Sequence, residues 1–220
     1  MVDSHSSDAG EDPALGLAAG VRQLRTAGAA ENTTRLSDEF YEEIMPRLHR
    51  RIARELRGAG RVLDLGCGAC ELARFLVNRY GKEVTGVDVT DGGFPDPEQM
   101  DDRARRHLRC IKADARRLEF LEDEVADAAV AKWALHEMDR PREILEEVRR
   151  VLRVGGELLI VDFPRDSLAR RLWNEEYYAP KEVSEILERS GYEHVSTSLI
   201  EQRQVIWAKG FRAGAEETDS

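Results

Sequence analysis

The chain has 220 residues, 41% hydrophobic and 35% charged, with a formal net charge of −10. That is enough chain for one α/β domain with a sizeable core. No apolar run approaches the ~20 residues of a membrane span, and the N-terminus lacks the basic and apolar regions of a secretory signal, so a cytoplasmic protein is expected. The acidity is local. Residues 1–14 carry Asp3, Asp8, Glu11 and Asp12 with no Lys or Arg, and residues 213–220 carry Glu216, Glu217 and Asp219, leaving −3 for residues 15–212. A near-neutral body with acidic tails argues against a nucleic-acid partner. The organisation expected is a disordered or weakly ordered tail over 1–30, a domain with an N-terminal helical cap over 31–212, and an acidic tail over 213–220.

The first helix is expected from near Ser37, a good N-cap, with an apolar stripe at Phe40, Ile44, Leu48, Ile52 and Leu56. Pro46 predicts a kink or two consecutive helices, and Gly58 and Gly60 end the element. Strands and helices then alternate: a strand at Arg61–Leu65, a helix at Glu71–Tyr80 and a strand at Glu83–Asp88. A polar stretch, Thr90–Arg109, ends in a short helix. Strands follow at Leu108–Ala113 and Ala126–Lys132, then a helix at Pro141–Arg153. Gly155–Gly156 turns into a fifth strand, Glu157–Asp162, before a helix at Lys181–Ser190. His194–Ile200 and Gln204–Lys209 have no helix between them and read as an antiparallel hairpin. The fold expected is α/β: a Rossmann-like, doubly wound, mostly parallel seven-stranded sheet.

The chemistry concentrates at Val62-Leu63-Asp64-Leu65-Gly66-Cys67-Gly68-Ala69-Cys70-Glu71. A buried strand ends in an acid, a glycine turn follows, and a helix begins. Asp88 closes the next strand 24 residues after Asp64, which fits the usual offset of about 20 to a carboxylate that holds ribose hydroxyls. A dinucleotide site would place GxGxxG at a pyrophosphate. Here Glu71 stands three residues after Gly68. A carboxylate is unfavourable beside pyrophosphate and tolerable beside a sulfonium, which favours S-adenosylmethionine (SAM) over NAD. The three cysteines, Cys67, Cys70 and Cys110, suggest no disulfide framework. Cys67 and Cys70 form a CxxC, but with no second CxxC or His pair nearby no metal is expected.

DLGCG after a strand resembles motif I of the class I SAM-dependent methyltransferases. VTGVD resembles their second motif, and Ala113-Asp114-Ala115 their adenine-contacting motif. The block from Ala126 to Phe163 is similar to the ubiquinone/menaquinone-methyltransferase-like branch, and YYAPKEVSEILERSGY looks like that branch's late helix. Cys70 stands where the family usually has a third glycine. The resemblance implies that Asp64, Gly66, Cys67 and Gly68 line the methionine part of SAM. It places Asp88 and Val89 at the ribose, Asp114 and the Ala115 N–H at adenine, and Lys132 and Trp133 beside the transferring methyl. Asp64 and Asp114 also read as turn or helix caps.

Two catalytic candidates follow, Lys132 and His136. For His136, packing is the competing account, and a nearby helix N-terminus is expected to keep it neutral. Glu137 and Asp162 are further polar candidates at strand ends. Trp173, Tyr177 and Tyr178 suit an aromatic substrate wall or ordinary packing. The arginines Arg47, Arg50, Arg51, Arg54 and Arg57 read as a solvated face. Asn32–Tyr41 and Trp173–Tyr178 are expected to roof the acceptor pocket as a lid. A small-molecule acceptor is expected, with its atom open among carbon, nitrogen, oxygen, sulfur and metalloid. Oligomerisation is left open. The rival readings are a SAM-binding regulatory or partner subunit without catalysis and an NAD(P)-dependent oxidoreductase.

Overall fold

A computed structural model describes residues 36–214. The tail expected over 1–30, residues 215–220 of the tail expected over 213–220, and Asn32–Arg35 of the expected lid lie outside the described residues. The chain divides into two units, residues 1–41 and 42–220. Of the first, the described part is 36–41, where the Phe40 N–H donates to the Ser37 carbonyl at 3.1 Å.

The helix opened by that turn, α1 (Phe40–Glu55), runs unbroken through Pro46 into a 3₁₀ turn at Leu56–Gly58. It does not divide into two helices. Ile44, Leu48 and Ile52 are fully buried, so the apolar stripe anchors the helix while the arginines line its other side. Arg47 pairs with Glu201 at 2.7 Å, and the Arg51 guanidinium lies over Trp207.

The sheet strands are β1 (Arg61–Leu65), β2 (Glu83–Asp88), β3 (Leu108–Lys112), β4 (Ala126–Lys132), β5 (Leu152–Asp162), β6 (Tyr192–Ile200) and β7 (Val205–Arg212). Their order is β3-β2-β1-β4-β5-β7-β6. The first five are parallel, and β7 is antiparallel to both β5 and β6. This is the expected seven-stranded doubly wound sheet with an antiparallel C-terminal hairpin. The hairpin folds back so that its second strand, not its first, meets β5. The helices after α1 are α2 (Glu71–Tyr80), α3 (Asp102–His107), α4 (Pro141–Val151), α5 (Leu168–Trp173) and α6 (Pro180–Arg189). Two details depart from the sequence reading. Gly155–Gly156 lies within β5 as an irregularity in its pairing with β4, not ahead of the strand. The short helix α5 carries too few residues for a periodic signal.

β1 and β4 are buried along nearly their whole length, which is why they read as near-continuous apolar runs. The core behind them joins Leu63, Leu65, Val87, Ala129, Ala131 and Leu145. Strand order reverses at β1, which has β2 on one side and β4 on the other. In such sheets the crevice beyond the carboxyl ends at that reversal is where ligands sit.

Candidate active site

At the carboxyl end of β1 the chain must turn sharply over the sheet. The Gly66 and Cys67 N–H groups both donate to the Val87 carbonyl of β2, at 2.8 and 3.1 Å. Gly66 has φ +62°, and a Cβ there would stand 2.5 Å from the Ala134 Cβ. Only glycine fits, because the backbone approaches the segment after β4. Asp88 fixes the loop from across the crevice. It accepts from the Gly68 N–H at 2.9 Å and from the Thr90 N–H and hydroxyl at 3.0 and 3.1 Å. Each carboxylate oxygen has two acceptor sites, so these three bonds leave one, on Oδ2, for a ribose hydroxyl.

A pocket of about 220 Å³ opens here, lined by Gly66, Asp88, Val89, Asp114, Ala115 and the segment from Glu137 to Arg140. A cleft of about 290 Å³ opens beside the amino ends of β1 and β2 and holds none of the candidate site residues. The strand-end rule therefore favours the smaller pocket. Of the SAM-contacting candidates, Gly66, Asp88, Val89, Asp114 and Ala115 line it. Asp64, Cys67, Gly68, Lys132 and Trp133 do not form its wall. Asp114 caps its turn through the Arg116 N–H and also holds the Arg116 guanidinium through both oxygens, at 2.5–3.0 Å. That pairing keeps its carboxyl down at about 2.

Asp64 and Lys132 stand at the carboxyl ends of the neighbouring strands β1 and β4, close enough for their charges to act on each other. Asp64 is 2% exposed, and among the described residues its Oδ2 has no hydrogen-bond partner. Burial pushes its carboxyl up to about 7, against the pull of the Lys132 ammonium and the Ala73 N–H. Burial likewise lowers Lys132, opposed by Asp64 and Glu71. Both shift toward their neutral forms, so desolvation outweighs their mutual attraction. A buried carboxylate oxygen without a partner, two residues before the glycine turn, suits a cationic group. The sulfonium and α-amino group of SAM are such groups, so the residues present fit that cofactor.

Two candidates 26 positions apart in sequence meet at the next strand ends. His136 Nδ1 lies 2.7 Å from Asp162 Oδ1, and the His136 N–H donates to Asp162 Oδ2 at 3.0 Å. Both side chains are almost wholly buried. Burial acts to lower the imidazole, but the hydrogen bond and charge of Asp162, with the charges of Glu137 and Glu175, hold it above its ordinary value. This corrects the expectation that a helix N-terminus favours the neutral form: the shift runs the other way. The local helix is a single 3₁₀ turn, Leu135–Glu137, and a carboxylate in contact outweighs it. The other ring nitrogen, Nε2, lies 3.4 Å from Glu175 Oε2 and 3.9 Å from Glu137 Oε1. Those three ligand atoms lie within 4.8 Å of one another, a spacing that can hold a proton or a cation.

Aromatic rings wall this corner. Trp133 stacks on Phe163 at 4.0 Å, and Trp173 and Tyr177 meet Phe163 at 5.0 and 5.4 Å. Tyr177 also contacts the His136 ring at 4.6 Å and is 3% exposed. Trp173 and Tyr177 therefore pack as well as wall. Tyr178 packs against the main core. Sequence reading missed Phe163, which follows β5 without a motif, and Glu175, which lies in a segment without periodicity. It also missed Met138, Asp139 and Arg140, although their place after β4 was a usable signal.

The cysteines overturn another expectation: Cys70 and Cys110 form a disulfide, and the Cys67 sulfur lies 3.4 Å from that of Cys70. The reading missed this because β2 and β3 pair in register, which sequence separation does not reveal.

Fold and strand-end pocket define a Rossmann-like α/β domain built to hold a nucleoside. Residues 63–160 match the family model described as a methyltransferase domain. The O-methyltransferase resE of Aspergillus sclerotiorum is 30% identical over 71% of this chain and 64% of its own length. The 2-phytyl-1,4-naphtoquinone methyltransferase of Trichormus variabilis is 32% identical over 62% of this chain and 63% of its own. The chain thus spans less than two thirds of either relative. Among solved structures, the [4+2]-cyclase SpnF shares the fold with a TM-score of 0.67 at 20% identity, covering 83% of this chain and 85% of that one. A Burkholderia thailandensis 1,6-didemethyltoxoflavin-N1-methyltransferase, solved with S-adenosylhomocysteine, gives 0.63 at 21%, covering 80% and 82%. Residues 63–160 are thus similar to a methyltransferase domain, and both relatives are named methyltransferases.

Proposed function

We propose that the protein transfers the methyl group of SAM to a small-molecule acceptor, with His136 as the acid–base group and Asp162 as its positioning partner. The observation that carries this reading is the His136–Asp162 pair, buried beside a pocket lined by Gly66, Asp88 and Asp114. SAM supplies an electrophilic methyl on a cationic sulfur. With SAM bound, Asp88 would hold a ribose hydroxyl, Asp114 and the Ala115 N–H would hold adenine, and Asp64, Lys132 and Trp133 would lie toward the charged end. Orientation of the two reactants can lower the barrier by about 7–11 kcal/mol in favourable cases. For a hydroxyl acceptor, the kind that the name of the resE relative suggests, the oxygen–carbon bond forms as the carbon–sulfur bond breaks. The acceptor proton passes to His136 Nε2, and Asp162 keeps the other ring nitrogen protonated so that Nε2 is the accepting one.

A reading without methyl transfer keeps one support: the same fold is found in a [4+2]-cyclase. Calorimetry with SAM and NAD, followed by label transfer from [methyl-³H]SAM into a metabolite extract, separates these readings. SAM binding with label appearing in a small molecule is the expected result. SAM binding without any transfer overturns the catalytic reading, and NAD binding in its place overturns the cofactor. A cytoplasmic location is part of the same proposal. Among the described residues no helix is long and apolar enough to cross a membrane.

A further inference from the structure

All three cysteines of the chain converge on one spot behind the glycine loop. Cys70 is the last residue before α2, and its backbone is left-handed, with φ 55° and ψ 28°. Cys110 lies in the middle of β3, opposite Gly86 of β2. Gly86 makes the room: a Cβ there would lie 2.8 Å from the Cys67 sulfur and 3.3 Å from the Cys70 sulfur. The Cys70–Cys110 disulfide therefore reaches across β2 and ties the end of the loop to β3. The same loop places the Gly68 N–H on Asp88 and Gly66 at the pocket wall.

A left-handed backbone is ordinary for glycine and costly for a residue with a Cβ. Cys70 has no side-chain hydrogen bond to the helix end that would offset this. The disulfide holds it there by a covalent link instead. Cys67 stays out of the exchange. Burial, then the charges of Asp64 and Asp88, push its thiol up, and a thiol is a poor nucleophile beside a thiolate.

We propose that the Cys70–Cys110 disulfide is a redox-controlled staple on the cofactor loop, oxidised for tight SAM binding and reduced for weaker binding. The inference rests on the SAM reading of the pocket. An external dithiol supplies two electrons and two protons. The sulfur–sulfur bond breaks, Cys70 and Cys110 become thiols, and the dithiol closes to its own disulfide. Cys70 is then released from the cross-link, and the loop leaves the conformation that presents the Gly68 N–H.

The test uses the full chain equilibrated in oxidised or reduced glutathione, with thiols counted by alkylation and mass measurement. Oxidised protein should show one free thiol and reduced protein three. SAM affinity by calorimetry should fall about fivefold or more on reduction, the scale of holding one non-glycine residue left-handed. Hydrogen exchange of the amides from Gly68 to Leu72 should quicken with or without SAM. Cys110→Ser should bind SAM at the reduced level in both buffers. Cys70→Gly should bind at the oxidised level in both, because glycine needs no staple. Three free thiols in oxidised glutathione overturn the proposal, as does unchanged affinity and exchange after the bond is broken. Absence of SAM binding in both states, with loop exchange still responding to reduction, sinks the cofactor reading and leaves the staple standing.

Discussion

Asp162→Asn tests the central pair. Asp162 accepts three hydrogen bonds: from His136 Nδ1 at 2.7 Å, from the His136 N–H at 3.0 Å and from the Phe163 N–H at 2.8 Å. Asparagine keeps the shape but exchanges one acceptor oxygen for a donor and removes the charge. A hydrogen bond to a charged group contributes about 1.5–3 kcal/mol. With the side chains almost fully buried, little of that is screened. The variant should therefore lose about 1.5–3 kcal/mol at pH 6, or roughly 3–12 °C in Tm for a domain of this size. The pH dependence is the sharper readout. The folded pKa of His136 stands above its unfolded value of about 6.5. The folded state thus holds the extra proton, and the stabilisation is complete below about pH 6.5 and lost as pH rises through the folded value. Urea midpoints should fall across that window in the native protein, and the fall should vanish in Asp162→Asn. The rising limb of turnover against pH should move to lower pH, because the imidazole sheds its proton more easily without Asp162. Identical urea slopes and identical turnover profiles for the two proteins would refute the coupling.

Asp64 gives a second pH signature. Its folded value, about 7, is raised, so the neutral carboxyl favours the fold at low pH and ionisation costs stability up to about pH 7. A cationic ligand recovers that cost, so SAM affinity should climb by up to about tenfold per pH unit below 7 and then level off. Asp64→Asn should flatten the curve, and a flat calorimetric curve in the native protein removes the role. Asp88→Ala should weaken SAM by about 1.5–3 kcal/mol while the protein stays folded by circular dichroism, and an unchanged Kd denies the ribose assignment. Asp114→Leu should weaken SAM and S-adenosylhomocysteine equally, since both carry adenosine; strong discrimination between them by the variant contradicts adenine recognition. Gly66→Ala combines a positive φ with a Cβ 2.5 Å from Ala134, so it should destabilise the fold by about 2 kcal/mol or more. A urea midpoint equal to that of the native protein would show that the loop is not packed as described.

The sequence by itself determined the elements and their class. β1, β2 and β4 carry apolar runs closed by turn residues, and α4 spaces Ile144, Leu145, Val148 and Val151 onto one buried face. These signals are local, because side-chain period and backbone propensity act within a few residues. The strand–turn–helix unit that carries Asp64, Gly66 and Gly68, and the strand that Asp88 closes, were equally legible. Only the tertiary structure decided what depends on distant segments meeting. His136 and Asp162 pair because β4 and β5 lie side by side, which also raises the imidazole's pKa where a lowering was expected. Cys70 and Cys110 meet because β2 and β3 are in register and Gly86 leaves the space. Trp173 and Tyr177 reach Phe163 through α5 and the segment after it, which are too short or irregular to announce themselves. Period and propensity are fixed within a turn or two of chain, whereas a pKa, a disulfide or a ring contact is set by whichever group the fold brings alongside.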